Sequence, residues 1–105
     1  MGVTVTTSRA TLAADTICRL QQPIEGLNVS DLAWGTVNAK SVTLSFWVYS
    51  SLTGTFGGAL INGGFARSYP FSYTISSANT WQQVSVTIAG DTTGTWLTTN
   101  GIGIR

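Results

Sequence analysis

The sequence contains no histidine, and only four of its 105 residues are acidic. Without histidine, the Ser-His-Asp and Cys-His arrangements of nucleophilic catalysis cannot form. Zinc favours Cys and His ligands and is left with almost none. A glycosidase needs two carboxylates that face each other across a cleft, and Glu25 and Asp31, six residues apart in a predicted loop, are a weak pair. We therefore expect a protein that is not an enzyme.

Charge is also scarce. Charged residues make up 9% of the chain, against about 25% in an ordinary soluble domain. The net charge is +1, and the five basic residues are scattered, whereas binding to nucleic acid requires clustered Lys and Arg. We expect neither a nucleic-acid partner nor a membrane partner. The surface is instead rich in hydroxyl and amide groups, which suits an uncharged ligand.

Cysteine and long apolar runs are nearly absent. Cys18 is the only cysteine, so no disulfide can form within the chain, and its apolar neighbours predict a small buried side chain in a half-buried strand. No signal peptide and no membrane span are recognisable. We expect a single domain over residues 1–105, and the alternating end at 101–105 favours a domain excised from a longer protein or a truncated reading frame.

Period-two alternation of apolar and polar residues recurs along the chain and predicts strands. The connection 25–40 is expected to hold one helical turn at 31–34, and Asn62-Gly63-Gly64 predicts a tight turn. The overall pattern predicts an all-β fold, an antiparallel β-sandwich. The strands are expected at 2–7, 16–24, 41–50, 55–61, 69–75 and 81–89, with a last strand near Gly101.

Four tryptophans stand out against this neutral background. Alternation places Trp47 with Thr43, Ser45 and Tyr49 on the polar face of its strand, where a flat ring flanked by hydroxyls suits a sugar. Trp81 shares the parity of Gln83, but its place at a strand start favours a corner residue that seals the core. Trp34 and Trp96 fall in predicted loops, where they either plug the end of the sandwich or project into a site.

Two resemblances follow from longer motifs. The strand VTLSFWV at 42–48, the glycine-rich hairpin after it and NTWQQVSVTI at 79–88 are similar to the jelly-roll, galactose-binding-like carbohydrate-binding modules of polysaccharide-degrading enzymes. A second set of motifs resembles a jelly-roll domain that recurs in phage virion and tail proteins. It consists of the strand at 42–48, Glu25-Gly26-Leu27, LAWGT at 32–36 and TTGTWL at 92–97. The first resemblance implies aromatic rings that stack on a glycan, and often a structural calcium ion. Both imply an extracellular or virion-associated protein, and both allow a homo-oligomer.

These observations predict a non-catalytic carbohydrate-binding domain that binds a neutral β-glucan such as cellulose by aromatic stacking, on a concave sheet or in a loop-lined groove. The alternative is a structural module of a phage virion or tail that assembles through its aromatic surface. The expected carbohydrate-binding residues are Trp47, Tyr49, Trp34, Trp96, Gln83 and Ser45. If a calcium ion is bound, the charged candidates for its ligands are Asp15, Glu25, Asp31 and Asp91. No other cofactor is expected.

Overall fold

The structure is a computed structural model that describes residues 1–105. Six strands and one 3₁₀ helix follow one another along the chain from residue 24 onward. In chain order they are β1 (Ile24–Glu25), the 3₁₀ helix (Gly26–Leu32), β2 (Val42–Val48), β3 (Gly54–Ile61), β4 (Ser68–Ile75), β5 (Gln82–Ile88) and β6 (Ile102–Ile104).

All strand pairing is antiparallel and forms three ladders, β1–β6, β2–β5 and β3–β4. β3 and β4 form a hairpin whose turn is held by the buried side chain of Asn62. Its Oδ1 accepts hydrogen bonds from the backbone N–H groups of Ala66 and Arg67, and its Nδ2 donates to the carbonyl of Thr95. The prediction of a turn at Asn62-Gly63-Gly64 is therefore confirmed.

The β2–β5 and β3–β4 ladders meet through aromatic side chains. The ring of Phe46 on β2 lies 5.2 Å from that of Tyr73 on β4, edge to face, and 6.5 Å from that of Phe71. Alternation correctly places Val84, Val86 and Ile88 on the inner side of β5. The all-β, antiparallel fold is confirmed, and its arrangement as a jelly-roll sandwich stays a prediction.

The core is small. Only eight of the 105 residues are buried, and the central cluster joins Trp34 to Ile88 of β5 and Ile104 of β6. Val42 and Leu44 of β2 pack against this cluster from the inner side of their strand. Trp34 therefore connects the segment after the 3₁₀ helix to two strands that are distant in the sequence.

The helical segment begins and ends earlier than expected. The prediction of one turn at 31–34 is wrong, because the helix covers Gly26–Leu32 and Ala33 ends it in the left-handed conformation, with φ of 53°. Gly26 begins the helix where the chain passes against the carbonyl of Leu97, and a Cβ there would overlap that carbonyl. The one helical segment, which is seven residues long, is too short to span a bilayer.

The first 23 residues, which we call the N-terminal arm, differ most from expectation. The arm forms no strand and every one of its residues is exposed, so the predicted strand at 2–7 is wrong, and the one at 16–24 is reduced to Ile24–Glu25. Cys18 is exposed rather than buried. Alternation shows that a segment can form a strand, but a strand also needs an edge to pair with, and none is next to the arm.

Candidate functional site

The outward side chains of β2 and β5 form one continuous surface. The register pairs Ser45 with Ser85 and Trp47 with Gln83, so side chains at these positions stand beside each other on the same face of the ladder. We call this surface the aromatic face. Its members are all exposed: Thr43, Ser45, Trp47, Tyr49, Trp81, Gln83, Ser85 and Thr87.

Three large rings are exposed on this face. Trp47 is 62% exposed, Trp81 is 64% exposed and Tyr49 is 49% exposed. The centroids of the Tyr49 and Trp81 rings lie 5.5 Å apart, with an angle of 52° between the ring planes. The rings make an uneven apolar surface at one end of a face that is otherwise lined by hydroxyl and amide groups.

The position of Trp81 corrects the sequence prediction. Trp81 does not seal the core, because the β2–β5 register runs without a bulge from Val42↔Ile88 to Val48↔Gln82 and its continuation places Trp81 opposite Tyr49. The turn before it supports this placement. The N–H of Asn79 donates to the carbonyl of Ser50 at 2.7 Å, and the Tyr49 hydroxyl donates to Oδ1 of Asn79 at 3.4 Å.

Trp34 and Trp96 lie elsewhere. Trp34 is 6% exposed and packs against the inner side of β2 and β5, whereas Trp47 stands on the outer side. Its ring meets that of Trp96 edge to face at 4.7 Å, and its Nε1 donates to the carbonyl of Lys40 at 2.7 Å. The structure therefore brings Trp47, Tyr49, Gln83 and Ser45 together but separates Trp34 and Trp96 from them.

A pocket of about 510 Å³ lies beside these two tryptophans and is also lined by Arg67, Tyr69 and Asp91. Arg67 binds Asp91 through two parallel hydrogen bonds, from Nε to Oδ2 at 2.7 Å and from Nη2 to Oδ1 at 2.8 Å. Asp91 also accepts hydrogen bonds from the backbone N–H of Thr93 and from Nε1 of Trp96. Both carboxylate oxygens are thus already engaged.

This network changes the acidity of both ionic groups. The hydrogen bond from Arg67 holds the pKa of the Asp91 carboxyl well below its usual range, and the hydrogen bonds from Thr93 and Trp96 act in the same direction, against partial desolvation. The same pair raises the pKa of Arg67. Asp91 therefore anchors the loop that carries Trp96, which is a structural role that the sequence did not reveal.

The four carboxylates proposed as calcium ligands are not gathered into one group. Asp15, Glu25 and Asp31 are exposed, and Asp91 is paired with Arg67. No three His, Cys, Asp or Glu side chains of the structure lie close enough together to hold a metal ion. A calcium site would therefore need backbone carbonyls for most of its ligands, and it stays a prediction.

Aromatic and polar groups meet both on the aromatic face and in the pocket beside Trp34 and Trp96. The face is open, and its residues line neither this pocket nor the one beside Gly63, Leu97 and Ile102. Comparison with protein-family models, with curated proteins and with solved structures finds no match to this chain. Its function is therefore inferred from its own residues.

Proposed function

We propose that the chain is a non-catalytic carbohydrate-binding module that binds a neutral β-glucan on the aromatic face. The observation that carries this proposal is the exposure of Trp47 and Trp81 on a strand face whose other residues are hydroxyls and an amide. Burying a large apolar side chain gains about 1.5–3 kcal/mol, which these two rings largely forgo in the free chain. A ligand that covers the rings would recover that free energy.

The chemistry of the face matches that of a sugar. A pyranose ring presents apolar C–H groups on its faces and hydroxyls at its edge, so a ring that stacks on Trp47 places its hydroxyls toward the neighbouring strand positions. Gln83 stands directly across from Trp47, and its amide both donates and accepts hydrogen bonds. The Ser45 hydroxyl, two residues along the same face of β2, does the same.

The shape of the face favours a polymer over a small molecule. Small ligands are usually enclosed in a concave pocket, whereas this surface is open. The run from Thr43 to Tyr49 extends over about 20 Å at the rise of an antiparallel strand, long enough for several sugar units in a row. β-Glucan chains such as cellulose offer a flat ribbon of that kind. No acid or base is needed, because no bond is made or broken.

Affinity gel electrophoresis with soluble β-glucans tests the proposal. The wild-type chain is expected to migrate more slowly in a gel that contains the glucan, and Trp47→Ala to migrate as in the empty gel. Tyr69→Ala is the matched control, because Tyr69 is an exposed aromatic residue that lines the Trp34–Trp96 pocket instead. Unchanged migration on every β-glucan would refute the choice of ligand. Loss of binding in Tyr69→Ala alone would move the site to the pocket.

A second candidate function is a structural module of a phage virion or tail, in line with the second resemblance. The observation in its favour is the large surface that the chain leaves uncovered, including five exposed aliphatic residues in the N-terminal arm: Val3, Val5, Leu12, Ile17 and Leu20. In this alternative the aromatic face packs on a partner chain. A stable oligomer that binds no glycan would favour it over the first proposal.

A further inference from the structure

The N-terminal arm is almost without contacts in the single chain. Its one backbone hydrogen bond joins the N–H of Thr16 to the carbonyl of Ala13. Its one aromatic contact places the guanidinium of Arg19 5.3 Å from the ring of Phe65. Val3 and Val5 are 73% and 78% exposed. Nothing in one copy of the chain covers the apolar side chains of residues 2–7.

The total surface is larger than a folded monomer of this mass should have. The chain exposes 7579 Å², whereas a compact monomer of 11.1 kDa exposes about 5,700 Å². The excess is about 1,900 Å² per chain. If two copies covered that excess on each other, they would bury about 3,800 Å², which falls in the range of roughly 2,000–5,000 Å² found in obligate homodimers.

An acceptor for a strand is present on β3. One side of β3 pairs with β4 over its whole length, from Gly54↔Ile75 to Ile61↔Ser68. On the other side only its end is paired, by two hydrogen bonds between the backbones of Ile61 and Arg105 and a bridge between Asn62 and Ile104. The backbone groups of residues 54–60 on that side have no strand partner.

The outer edge of β3 lacks the features that prevent an open strand from pairing with another molecule. Monomeric proteins protect an open strand with charged residues, proline or a bulge. Residues 54–60 read GTFGGAL and contain neither charge nor proline. β4, by contrast, carries Pro70, and β5 is tied to it by the hydrogen bond from Gln82 Nε2 to the carbonyl of Thr74. The outer edge of β3 is therefore suited to accept another strand.

We infer that the chain forms a dimer by strand exchange, in which residues 2–7 of one copy pair with residues 54–60 of β3 in a second copy. The donor segment, GVTVTT, alternates apolar and hydroxyl residues and is uncharged, like the acceptor edge. Each copy carries this donor and this acceptor edge, and both are unpaired in the single chain. Reciprocal exchange about a two-fold axis satisfies both and closes the assembly. This inference does not depend on the proposed function.

The donor can be altered without touching the folded part of the chain, because the arm is exposed throughout. Val5→Pro removes a backbone donor and breaks a strand, so we expect it to weaken dimerisation at least tenfold in size-exclusion chromatography with light scattering. Ala10→Pro, outside residues 2–7, is the matched control and should dimerise like the wild type. A wild-type chain that runs as an 11.1 kDa monomer at every concentration would overturn the inference. Equal behaviour of the two variants would overturn the assignment of the donor.

A cross-link then identifies the acceptor. Thr4→Cys in a Cys18→Ser background provides one thiol in the donor segment, to which a benzophenone maleimide is attached. This modified, unlabelled (light) chain is mixed with ¹⁵N-labelled (heavy) chain that carries Cys18→Ser alone. Illumination is expected to cross-link the light chain to β3 of the heavy chain, and mass spectrometry identifies the linked peptides. Cross-links confined to one chain would show that the arm folds back on its own copy. Cross-links to β2 of the heavy chain would overturn the choice of edge.

Discussion

Replacement of Trp81 distinguishes most clearly between a structural role and a role in ligand binding. A tryptophan that seals a core cannot be removed without a large loss of stability, about 3–5 kcal/mol on replacement by Ala. Replacing a tryptophan that is 64% exposed lowers the stability of the protein far less. Its main contact is the tilted pair with Tyr49 at 5.5 Å, and such pairs contribute about 0.5–1.5 kcal/mol. Together with the buried third of the ring, this pair leads us to expect that Trp81→Ala lowers the free energy of unfolding by about 1–2 kcal/mol.

The effect of Trp81→Ala on glucan binding follows from the same exposure. A tryptophan side chain has up to about 250 Å² of surface, so the exposed part of Trp81 is about 160 Å². A stacked sugar covers one face of the ring, about 80 Å², worth about 2 kcal/mol at 25 cal/mol per Å². The dissociation constant for a soluble β-glucan should therefore rise about 30-fold.

Isothermal titration calorimetry with a soluble β-glucan and urea denaturation followed by circular dichroism measure the two quantities on the same preparation. Val37→Ala is a suitable control, because Val37 is 89% exposed and lies outside the aromatic face. The reverse pattern would contradict the placement of Trp81 on the aromatic face. A loss of more than about 3 kcal/mol in stability with unchanged binding would return Trp81 to the core.

Three further predictions concern the scaffold. Trp34→Phe should lower the free energy of unfolding by about 1–3 kcal/mol, since the carbonyl of Lys40 loses its donor. Urea denaturation measures this change, and a change as small as that of Val37→Ala would contradict the prediction. Asp91→Asn should reduce the loss of stability on acidification, because the pKa of Asp91 is lowered in the folded chain. The ion pair of Asp91 stabilises the fold above about pH 4, and this stabilisation is lost as the pH falls further. Melting temperatures between pH 7 and pH 2 measure the effect, and parallel pH profiles of variant and wild type would contradict it. Gly103→Ala should lower the free energy of unfolding by about 1–3 kcal/mol, since the added Cβ would lie 2.7 Å from the Cα of Gly26. Gly64→Ala is the control, because a Cβ at Gly64 meets nothing within 4 Å. Equal melting temperatures of the two variants would count against this packing.

Local alternation predicted the central strands well because each strand has one face toward other side chains and one toward solvent. Trp47 and Val84 are on the expected sides of β2 and β5. Trp81 was misplaced because a residue at a strand start was expected to turn into the core, whereas the β2–β5 register continues to it without a bulge. The sequence carries the alternation, but the presence or absence of a bulge depends on the partner strand.

Long-range contacts set the features that could not be predicted. Trp34 looks like a loop residue in the sequence, and its burial depends on Ile88 and Ile104, which are more than 50 positions away. The hydrogen bonds of Asp91 likewise depend on Arg67, 24 residues earlier. In the N-terminal arm the difficulty is the opposite one, because its alternation is that of a strand and no strand of the same chain pairs with it.

The four tryptophans divide according to how their indole N–H groups are used. Trp34 donates to the carbonyl of Lys40, and Trp96 donates to Asp91, so both have their polar edge satisfied within the fold. The hydrogen bonds of the structure include none from Trp47 or Trp81, whose rings stand in solvent. A buried indole usually finds an acceptor, whereas an exposed one keeps its donor for water or for a ligand. The two rings on the aromatic face thus offer both an apolar surface and a free donor, the pair of properties that the face of a sugar and its hydroxyls can use together.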